Sequence, residues 1–229
     1  MSKKETKGTQ IQEFENVQNA LSKSEAFVEK NQKPLLYGFA AIILIVSAVI
    51  GYQNYFLVPK EKEAQELVFR AEQHFKRDSF ELALHGDGEN LGFLAIIDEF
   101  GRTSTGDLAR AYAGISYKAL GDYEKAISYL KNFDAGDMAL TPAVKGAIGD
   151  CYLELEEKEK AIAFFQKAAA ANNDVVSPVY LQRTGLVYLS MGEYKKALSA
   201  FEEIKNKYAS SQQAQDIDKY IQLATLQQN

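Results

Sequence analysis

The chain has 229 residues, of which 46% are hydrophobic and 25% charged, with 15 glycines and 4 prolines. This composition is typical of a globular protein and excludes a disordered, collagen-like or disulfide-stapled chain. The formal net charge of -5 argues against the broad basic face of a nucleic-acid-binding protein. A single cysteine, Cys151, excludes an intramolecular disulfide and a thiolate zinc cluster. With only two histidines, His74 and His85, the composition favours a binding module over an enzyme.

The first 33 residues form a polar tail before a long apolar segment. Residues 1–9 are predicted to be disordered because they contain too few apolar side chains to pack. Phe14, Val17, Leu21 and Val28 then recur at spacings of 3, 4 and 7, which is the pattern of a short amphipathic helix. Such a helix suits a membrane surface or a partner helix, and a frayed, solvated tail explains the pattern equally well.

An uncharged segment of 26 residues lies between Lys33 and Lys60, and its centre reads LLYGFAAIILIVSAVIG. About 20 apolar residues in a helix cross the ~30 Å hydrocarbon layer of a membrane. Residues 34–58 are therefore predicted to form a transmembrane helix, with Pro59 as its stop. Tyrosines lie near both ends, where amphipathic rings favour the headgroup region, at Tyr37, Tyr52 and Tyr55.

This apolar segment has two alternative interpretations. The first is a buried core helix, although core helices of soluble proteins seldom run this far without a polar residue. The second is a signal peptide cleaved near Ser47-Ala48, although signal peptides start earlier and have a shorter apolar stretch. We therefore predict an uncleaved signal anchor. The lysines and arginines on its two sides do not decide its orientation, because long domains cross the membrane largely regardless of charge.

Residues 60–229 carry 20 basic and 26 acidic side chains and show helical periodicity in nearly every segment. One arrangement of four residues occurs three times in this region, with internal spacings of 3, 9 and 4 and offsets of 35 and 36 residues between copies. A period of about 20 to 50 residues is typical of a solenoid of stacked helical units. The copies are Gly114, Tyr117, Ala126 and Leu130; Gly149, Tyr152, Ala161 and Phe165; and Gly185, Tyr188, Ala197 and Phe201.

These copies resemble the tetratricopeptide (TPR) family, whose features appear as GISYKALGDYEKAISYL, GDCYLELEEKEKAIAFF and GLVYLSMGEYKKALSAF. The resemblance implies an all-α fold in which helix hairpins stack into a solenoid. Small residues let the two helices of a hairpin approach closely, while aromatic rings fill the space beside them. Gly121 and Gly192 close the first helix of the outer copies, whereas Glu156 stands there in the middle copy and predicts a longer or more strained turn. Pro142 and Pro178 mark helix starts.

The domain organisation follows from these patterns. Weaker apolar faces flank the three repeats, and Ser210-Ser211 is predicted to cap a last helix that covers the open end of the solenoid. From the N-terminus we predict a tail at 1–33, a transmembrane helix at 34–58, and a TPR-like domain at 60–229 that contains a degenerate helix pair at 60–101, repeats at 107–141, 142–177 and 178–209, and a capping helix at 211–227.

The first helix of each pair is predicted to line the binding surface, as it does on the concave face of solenoid proteins. Its non-packing ridge, to which Ala143 and Gly146 also belong, is largely apolar. This ridge predicts a partner-binding groove of Leu108, Ala111, Ile115, Lys118, Asp150, Leu153, Val179, Gln182, Leu186 and Leu189. The groove suits an apolar helix or an unfolded segment, although packing against the terminal helix explains the same pattern. A carboxylate clamp, which some TPR proteins build from Lys and Asn, is not expected because Ala111, Ile115 and Asp150 hold those sites.

No catalytic, cofactor-binding or metal site is predicted. The stretch Asp87-Gly88-Glu89-Asn90 lacks the remainder of a calcium-binding loop and predicts a structural turn. His74 and His85 have no recognisable nucleophile beside them, and Cys151 is predicted to pack inside a repeat helix.

One anchor near the N-terminus followed by a TPR domain also resembles the ancillary Sec translocon subunit family, as does the GDG loop followed by GFLAIIDEFG. The resemblance implies a single-pass protein of the bacterial inner membrane, with a small cytoplasmic N-terminus and a periplasmic TPR domain. Its partners would be the SecYEG channel and periplasmic chaperones that act on emerging clients. The alternative is a TPR adaptor of another envelope complex, for secretion, motility or outer-membrane assembly.

Overall fold

The computed structural model describes residues 29–133 and 140–228, so the predicted amphipathic helix near Phe14 lies outside the described residues. The chain divides into two compact units, one ending at Val58 and the other beginning at Pro59. Across the described residues the secondary structure is helical, without a strand, and the all-α prediction is confirmed.

The α-helices are numbered here in chain order. They are α1 (Gln32–Tyr52), α2 (Val58–Lys76), α3 (Phe80–His85), α4 (Phe93–Phe100), α5 (Ser104–Ala119), α6 (Tyr123–Lys131), α7 (Leu140–Glu154), α8 (Lys158–Ala169), α9 (Ser177–Ser190), α10 (Tyr194–Lys207), α11 (Gln212–Gln215) and α12 (Ile217–Leu226).

Helix α1 is long and apolar enough to cross a membrane, and none of its residues is buried. Its 21 residues correspond to a length of about 30 Å, which matches the hydrocarbon layer of a bilayer. A π-helical turn, Gln53–Leu57, follows α1. Helix α2 then begins at Val58, so the prediction that Pro59 stops a helix is wrong. Pro59 lies inside a helix that continues from Gln32 to Lys76, directly after the π-helical turn that interrupts the regular hydrogen-bond pattern.

The segment predicted as a degenerate helix pair contains the three helices α2, α3 and α4. Helix α2 buries Ala64, Val68 and Ala71, and its side chains reach the first helix of the next pair. The ring of Phe75 lies 4.9 Å from that of Tyr112 on α5, measured between centroids. These contacts join the segment to the same hydrophobic core as the repeats.

Glu61 of α2 caps the beginning of α5. Thr105 donates its hydroxyl to one carboxylate oxygen of Glu61 at 2.7 Å and its backbone N–H to the other at 3.2 Å. Burial raises the pKa of Glu61, but the hydrogen bonds from Thr105 and Gln65 outweigh it, and the net effect lowers the pKa. A carboxylate at a helix N-terminus also interacts favourably with the helix dipole.

The next six helices form three antiparallel pairs, α5 with α6, α7 with α8 and α9 with α10. Glycine in the first helix of each pair lets a large side chain of the second helix come close. At Gly149, an added Cβ would lie 2.5 Å from the ring of Phe165, far closer than real contacts. Phe165 and Ala161 are fully buried beside it. The pairs therefore close around the small and aromatic positions that recur in the sequence.

The turn within each pair has the same length in all three copies. The residue after the turn donates its N–H to the carbonyl of the repeated tyrosine, at 2.9, 2.8 and 2.9 Å in chain order. Gly121 and Gly192 adopt φ of 83° and 75° in the outer copies, and Glu156 adopts φ of 59° in the middle one. A left-handed backbone is costly for a residue with a side chain. The middle turn is therefore strained rather than longer.

The predicted capping segment ends the stack, but it forms two helices, α11 and α12, where one was predicted. Ser211 accepts a hydrogen bond from the N–H of Ala214 at 3.2 Å and so caps α11, as predicted. Ile217 and Ala224 of α12 are buried, and the ring of Tyr220 stacks on Phe201 with centroids 5.4 Å apart. Helix α12 thus covers the apolar side of the last pair.

A fragment that starts at Pro59 is expected to fold without the apolar segment, because the repeats bury one another in series. Circular dichroism of the purified fragment should show a strongly helical spectrum that melts cooperatively. A spectrum dominated by strand or coil would contradict the repeat packing.

Candidate partner-binding site

The predicted groove residues lie on α5, α7 and α9, the first helices of the three pairs. Most are partly buried, and Leu186 is the most open at 39% exposed. Ala111 is only 6% exposed because it packs within the hydrophobic core, so it offers little surface to a partner. That these residues contact a partner stays a prediction.

The apolar members of the groove differ in what they touch. Ile115 and Leu153 pack from the outside against the main hydrophobic core. Leu189 packs against a second cluster, which also contains Ile217 of α12. The capping helix therefore shares a cluster with one end of the ridge, while Leu186 remains exposed. The ridge offers partly covered apolar side chains with one open leucine among them.

A carboxylate joins the three first helices across this ridge. Lys118 of α5 donates to one oxygen of Asp150 on α7 at 2.6 Å. Arg183 of α9 donates to the other oxygen of the same carboxylate. The side chain of Asp150 is 23% exposed, so the bridge is shielded only in part from water. Two cations share one anion, which leaves this part of the ridge with an excess positive charge.

Sequence analysis did not predict Arg183, although it predicted Lys118 and Asp150. The guanidinium of Arg183 also lies over the rings of Tyr180 and Phe165, at 5.6 and 5.9 Å from their centroids. Arg183 lies one residue after Gln182 of the ridge, so a spacing of 3 or 4 passes over it. Because its side chain is long, Arg183 contacts a neighbouring helix, and the spacing of residues along one helix does not predict such a contact.

Two titratable groups beside the bridge, the Tyr180 hydroxyl and the Cys151 thiol, stay uncharged at neutral pH because their pKa values are raised. Burial raises the pKa of Tyr180, an effect that Arg183 only partly offsets. Burial likewise raises the pKa of the Cys151 thiol to about 11, although Lys118 acts in the opposite direction. A buried, protonated thiol is a packing group rather than a nucleophile. In residues 29–133 and 140–228, no group of three or more His, Cys, Asp or Glu residues is arranged to hold a metal ion.

Replacing Asp150 with asparagine is expected to lower the free energy of unfolding by about 1 kcal/mol at low salt. The amide keeps the shape of the side chain but leaves Lys118 and Arg183 without their shared anion. The loss should shrink as salt rises, because salt screens partly exposed charges. Chemical denaturation of the wild type and the variant at two salt concentrations measures both effects.

Asp218→Asn is the matched control for this measurement. Asp218 pairs with Lys205 at 2.7 Å, but its side chain is 74% exposed. The control should change the unfolding free energy by less than about 0.5 kcal/mol. Equal effects of the two substitutions would show that the Asp150 bridge is no more than a surface ion pair.

A stack of helix pairs with a ridge on the first helices is the architecture of a helical-repeat scaffold. Two family models, both described as tetratricopeptide repeat, match the chain. One covers residues 143–175, and the other covers 109–133 and 180–211. The chain therefore contains tetratricopeptide repeats, and this part of the predicted resemblance is confirmed. TPR domains bind protein partners and are generally non-catalytic scaffolds.

Solved structures show the same fold. A structure titled as the MamA protein is 21% identical, with a TM-score of 0.56, and the match covers 75% of this chain and 84% of that one. A putative kinesin light chain from Podosopora anserina with nearly identical TPR-like repeats is 9% identical, with a TM-score of 0.54, and the match covers 73% and 87%. A comparison with curated proteins finds no significant match.

Proposed function

We propose that this protein is a membrane-anchored TPR scaffold that binds other proteins through the ridge on α5, α7 and α9. The observation that carries the proposal is α1, an apolar helix of 21 residues with none of them buried, in the same chain as a TPR domain. A core helix of a soluble protein would bury such a surface, because exposed apolar area in water is unfavourable. Insertion into a bilayer removes this area from water.

The ridge is proposed as the surface that receives the partner. Leu186 supplies an exposed apolar contact, and Ile115 and Leu153 supply partly buried ones beside it. Lys118 and Arg183 add positive charge that Asp150 balances only in part. An apolar helix or unfolded segment that also carries an acidic side chain matches this combination.

More specifically, we propose that the protein is an accessory component of the Sec translocation machinery in the bacterial inner membrane. The TPR domain would lie in the periplasm and link SecYEG to periplasmic chaperones. Support comes from the order of anchor and repeats and from the GDG loop with GFLAIIDEFG after it, which contains α4. Three buried residues of α4, Phe93, Ile96 and Phe100, join this segment to the repeat core.

An adaptor of another envelope complex is the second candidate. The observation that favours it is the breadth of the structural likeness, since similar repeats occur in MamA and in a putative kinesin light chain. Repeats of this kind report the architecture and not the partner.

Topology and partner are tested by two experiments. Alkaline phosphatase, which is active only outside the cytoplasm, is fused to the C-terminus, and a second fusion carries a fluorescent protein that is active inside it. High phosphatase activity supports a periplasmic TPR domain.

A photo-crosslinking amino acid at Leu186 should capture SecYEG subunits, whereas the same group at Leu82, an exposed leucine of α3, should not. A cytoplasmic C-terminus would overturn the periplasmic form, and crosslinks to another envelope complex would select the second candidate.

A further inference from the structure

The third helix pair lacks an aromatic ring that the first two pairs share. In each pair, one position of the first helix holds a tyrosine, and the position twelve residues later faces it from the second helix. These are Tyr117 and Tyr129 in the first pair, Tyr152 and Phe164 in the second, and Tyr188 and Ala200 in the third. The ring centroids are 5.4 Å apart in the first pair and 5.5 Å apart in the second. Tyr188 has no such neighbour at the corresponding position, because Ala200 ends at its methyl group.

A cavity of about 380 Å³ lies beside Tyr188, between the second helices α8 and α10 with α9 as its floor. Three buried residues, Leu181, Thr184 and Ala200, line its inner part. A cavity of about 150 Å³ suffices for a benzene ring, so an aromatic side chain fits with room to spare. Exposed polar side chains line the outer part, at Gln166, Asn172 and Ser199.

The charges that line the cavity are paired with groups beyond its lining. Lys196 forms an ion pair with Glu193 at 3.3 Å, and Glu203 accepts from Lys207 at 2.8 Å. The lining therefore presents little net charge to an occupant. A neutral ring complements this environment better than a charged group, which would leave its own charge without a counterion.

We infer that this cavity binds an uncharged aromatic side chain, phenylalanine or tyrosine, from an exposed segment of a partner protein. The ring of the partner lies beside Tyr188 as the tilted ring of Phe164 lies beside Tyr152 in the preceding pair. Amide and hydroxyl groups of Gln166, Asn172 and Ser199 meet the polar backbone of the bound segment. The cavity residues of α9, which are Leu181, Thr184 and Tyr188, differ from the ridge residues on that helix, so this site is separate from the proposed ridge contacts and from membrane anchoring.

The test uses the full chain in lipid nanodiscs, with alanine and threonine methyl groups labelled for NMR. N-acetyl-L-phenylalanine amide is the probe, and N-acetyl-L-leucine amide is the aliphatic control. We expect saturable shifts of the methyl groups that line the cavity, with a dissociation constant of about 1 mM. The leucine compound should bind about three- to tenfold more weakly, since it lacks the ring contact. The methyl groups expected to shift are those of Ala169, Ala170, Thr184 and Ala200.

Three variants decide the assignment. Ala200→Phe supplies the missing ring from the chain itself and should abolish binding of the probe. Phe164→Ala removes the ring of the second pair and should create a second site, so that two probe molecules bind instead of one. Tyr188→Leu should erase the preference for the aromatic probe over the leucine control, and it serves as the check if Ala200→Phe loses its folded spectrum.

Several outcomes would overturn the inference. The lining methyl groups would not move at probe concentrations tenfold above the expected constant of about 1 mM. Alternatively, the leucine compound would bind as tightly as the aromatic one, or Ala200→Phe would fold and still show the same shifts. Shifts confined to methyl groups outside the cavity would likewise place the probe elsewhere and overturn the inference.

Discussion

Replacing Phe165 with alanine is expected to lower the free energy of unfolding by about 3–5 kcal/mol. The ring of Phe165 is fully buried, lies against Gly149 and stacks on Tyr180 with centroids 6.1 Å apart. Removing it leaves a cavity between α7, α8 and α9 that Gly149 has no side chain to fill. Because domains are typically stable by only about 5–15 kcal/mol, this loss is a large share of the total. Chemical denaturation of the full chain, followed by circular dichroism, measures the change.

Phe164→Ala is the matched control for this prediction. Phe164 is the preceding residue on α8 and has the same ring, but it is only partly buried. Its removal should cost less than half as much, because water already reaches part of the ring. Equal costs for the two substitutions would place both rings in similar surroundings and break the register assigned to the second helix pair.

Much of the fold could be predicted from the sequence because the repeats depend on local rules. Gly149 and Ala161 are small where two helices touch, and Phe165 is large where the space between them must be filled. These requirements recur in every pair, so a fixed spacing reveals them. The strained turn at Glu156 was predictable for the same reason, since the other two copies hold glycine at that position.

The remaining features depend on contacts between pairs, which a repeating pattern does not encode. The bridge from Lys118 through Asp150 to Arg183 joins residues 32 and 33 positions apart, and the positions that correspond to Asp150 in the other two repeats hold Ile115 and Leu186. The core position of Ala111 depends on how closely neighbouring helices approach. Pro59 was misplaced because a proline usually ends a helix, whereas here the helix continues through it after a π-helical turn that the sequence pattern does not reveal.

A lysine–tyrosine contact recurs in all three pairs, and its spacing is visible in the sequence although its role is not. In each pair, a lysine of the second helix lies over the ring of the repeated tyrosine and also pairs with the acidic residue that precedes that helix. The nitrogen lies 5.1, 5.3 and 5.5 Å from the ring centroid in the three pairs. The sets are Tyr117, Asp122 and Lys125; Tyr152, Glu157 and Lys160; and Tyr188, Glu193 and Lys196. Their spacing is visible in the sequence, but its meaning as a cation–π contact needs the structure.

Replacing Leu186 with glutamate is expected to weaken recovery of the partner at least tenfold while leaving the melting temperature nearly unchanged. Leu186 is 39% exposed, so a carboxylate there remains hydrated in the free protein. Once a partner covers the ridge, the same carboxylate must give up its water against an apolar contact, which costs on the order of 2 kcal/mol or more at a central interface position. The measurement pairs crosslinking recovery from cells with thermal unfolding of the purified full chain.

Val187→Glu provides the contrast, because Val187 is the next residue on the same helix but is buried in the main hydrophobic cluster. Glutamate at this position must bury an unpaired charge or open the cluster, and the melting temperature should fall sharply. The two substitutions therefore separate surface from core within α9. A large drop in melting temperature for Leu186→Glu would mean that the ridge is part of the core, and unchanged recovery of the partner in a stable variant would place the contact surface elsewhere on the domain.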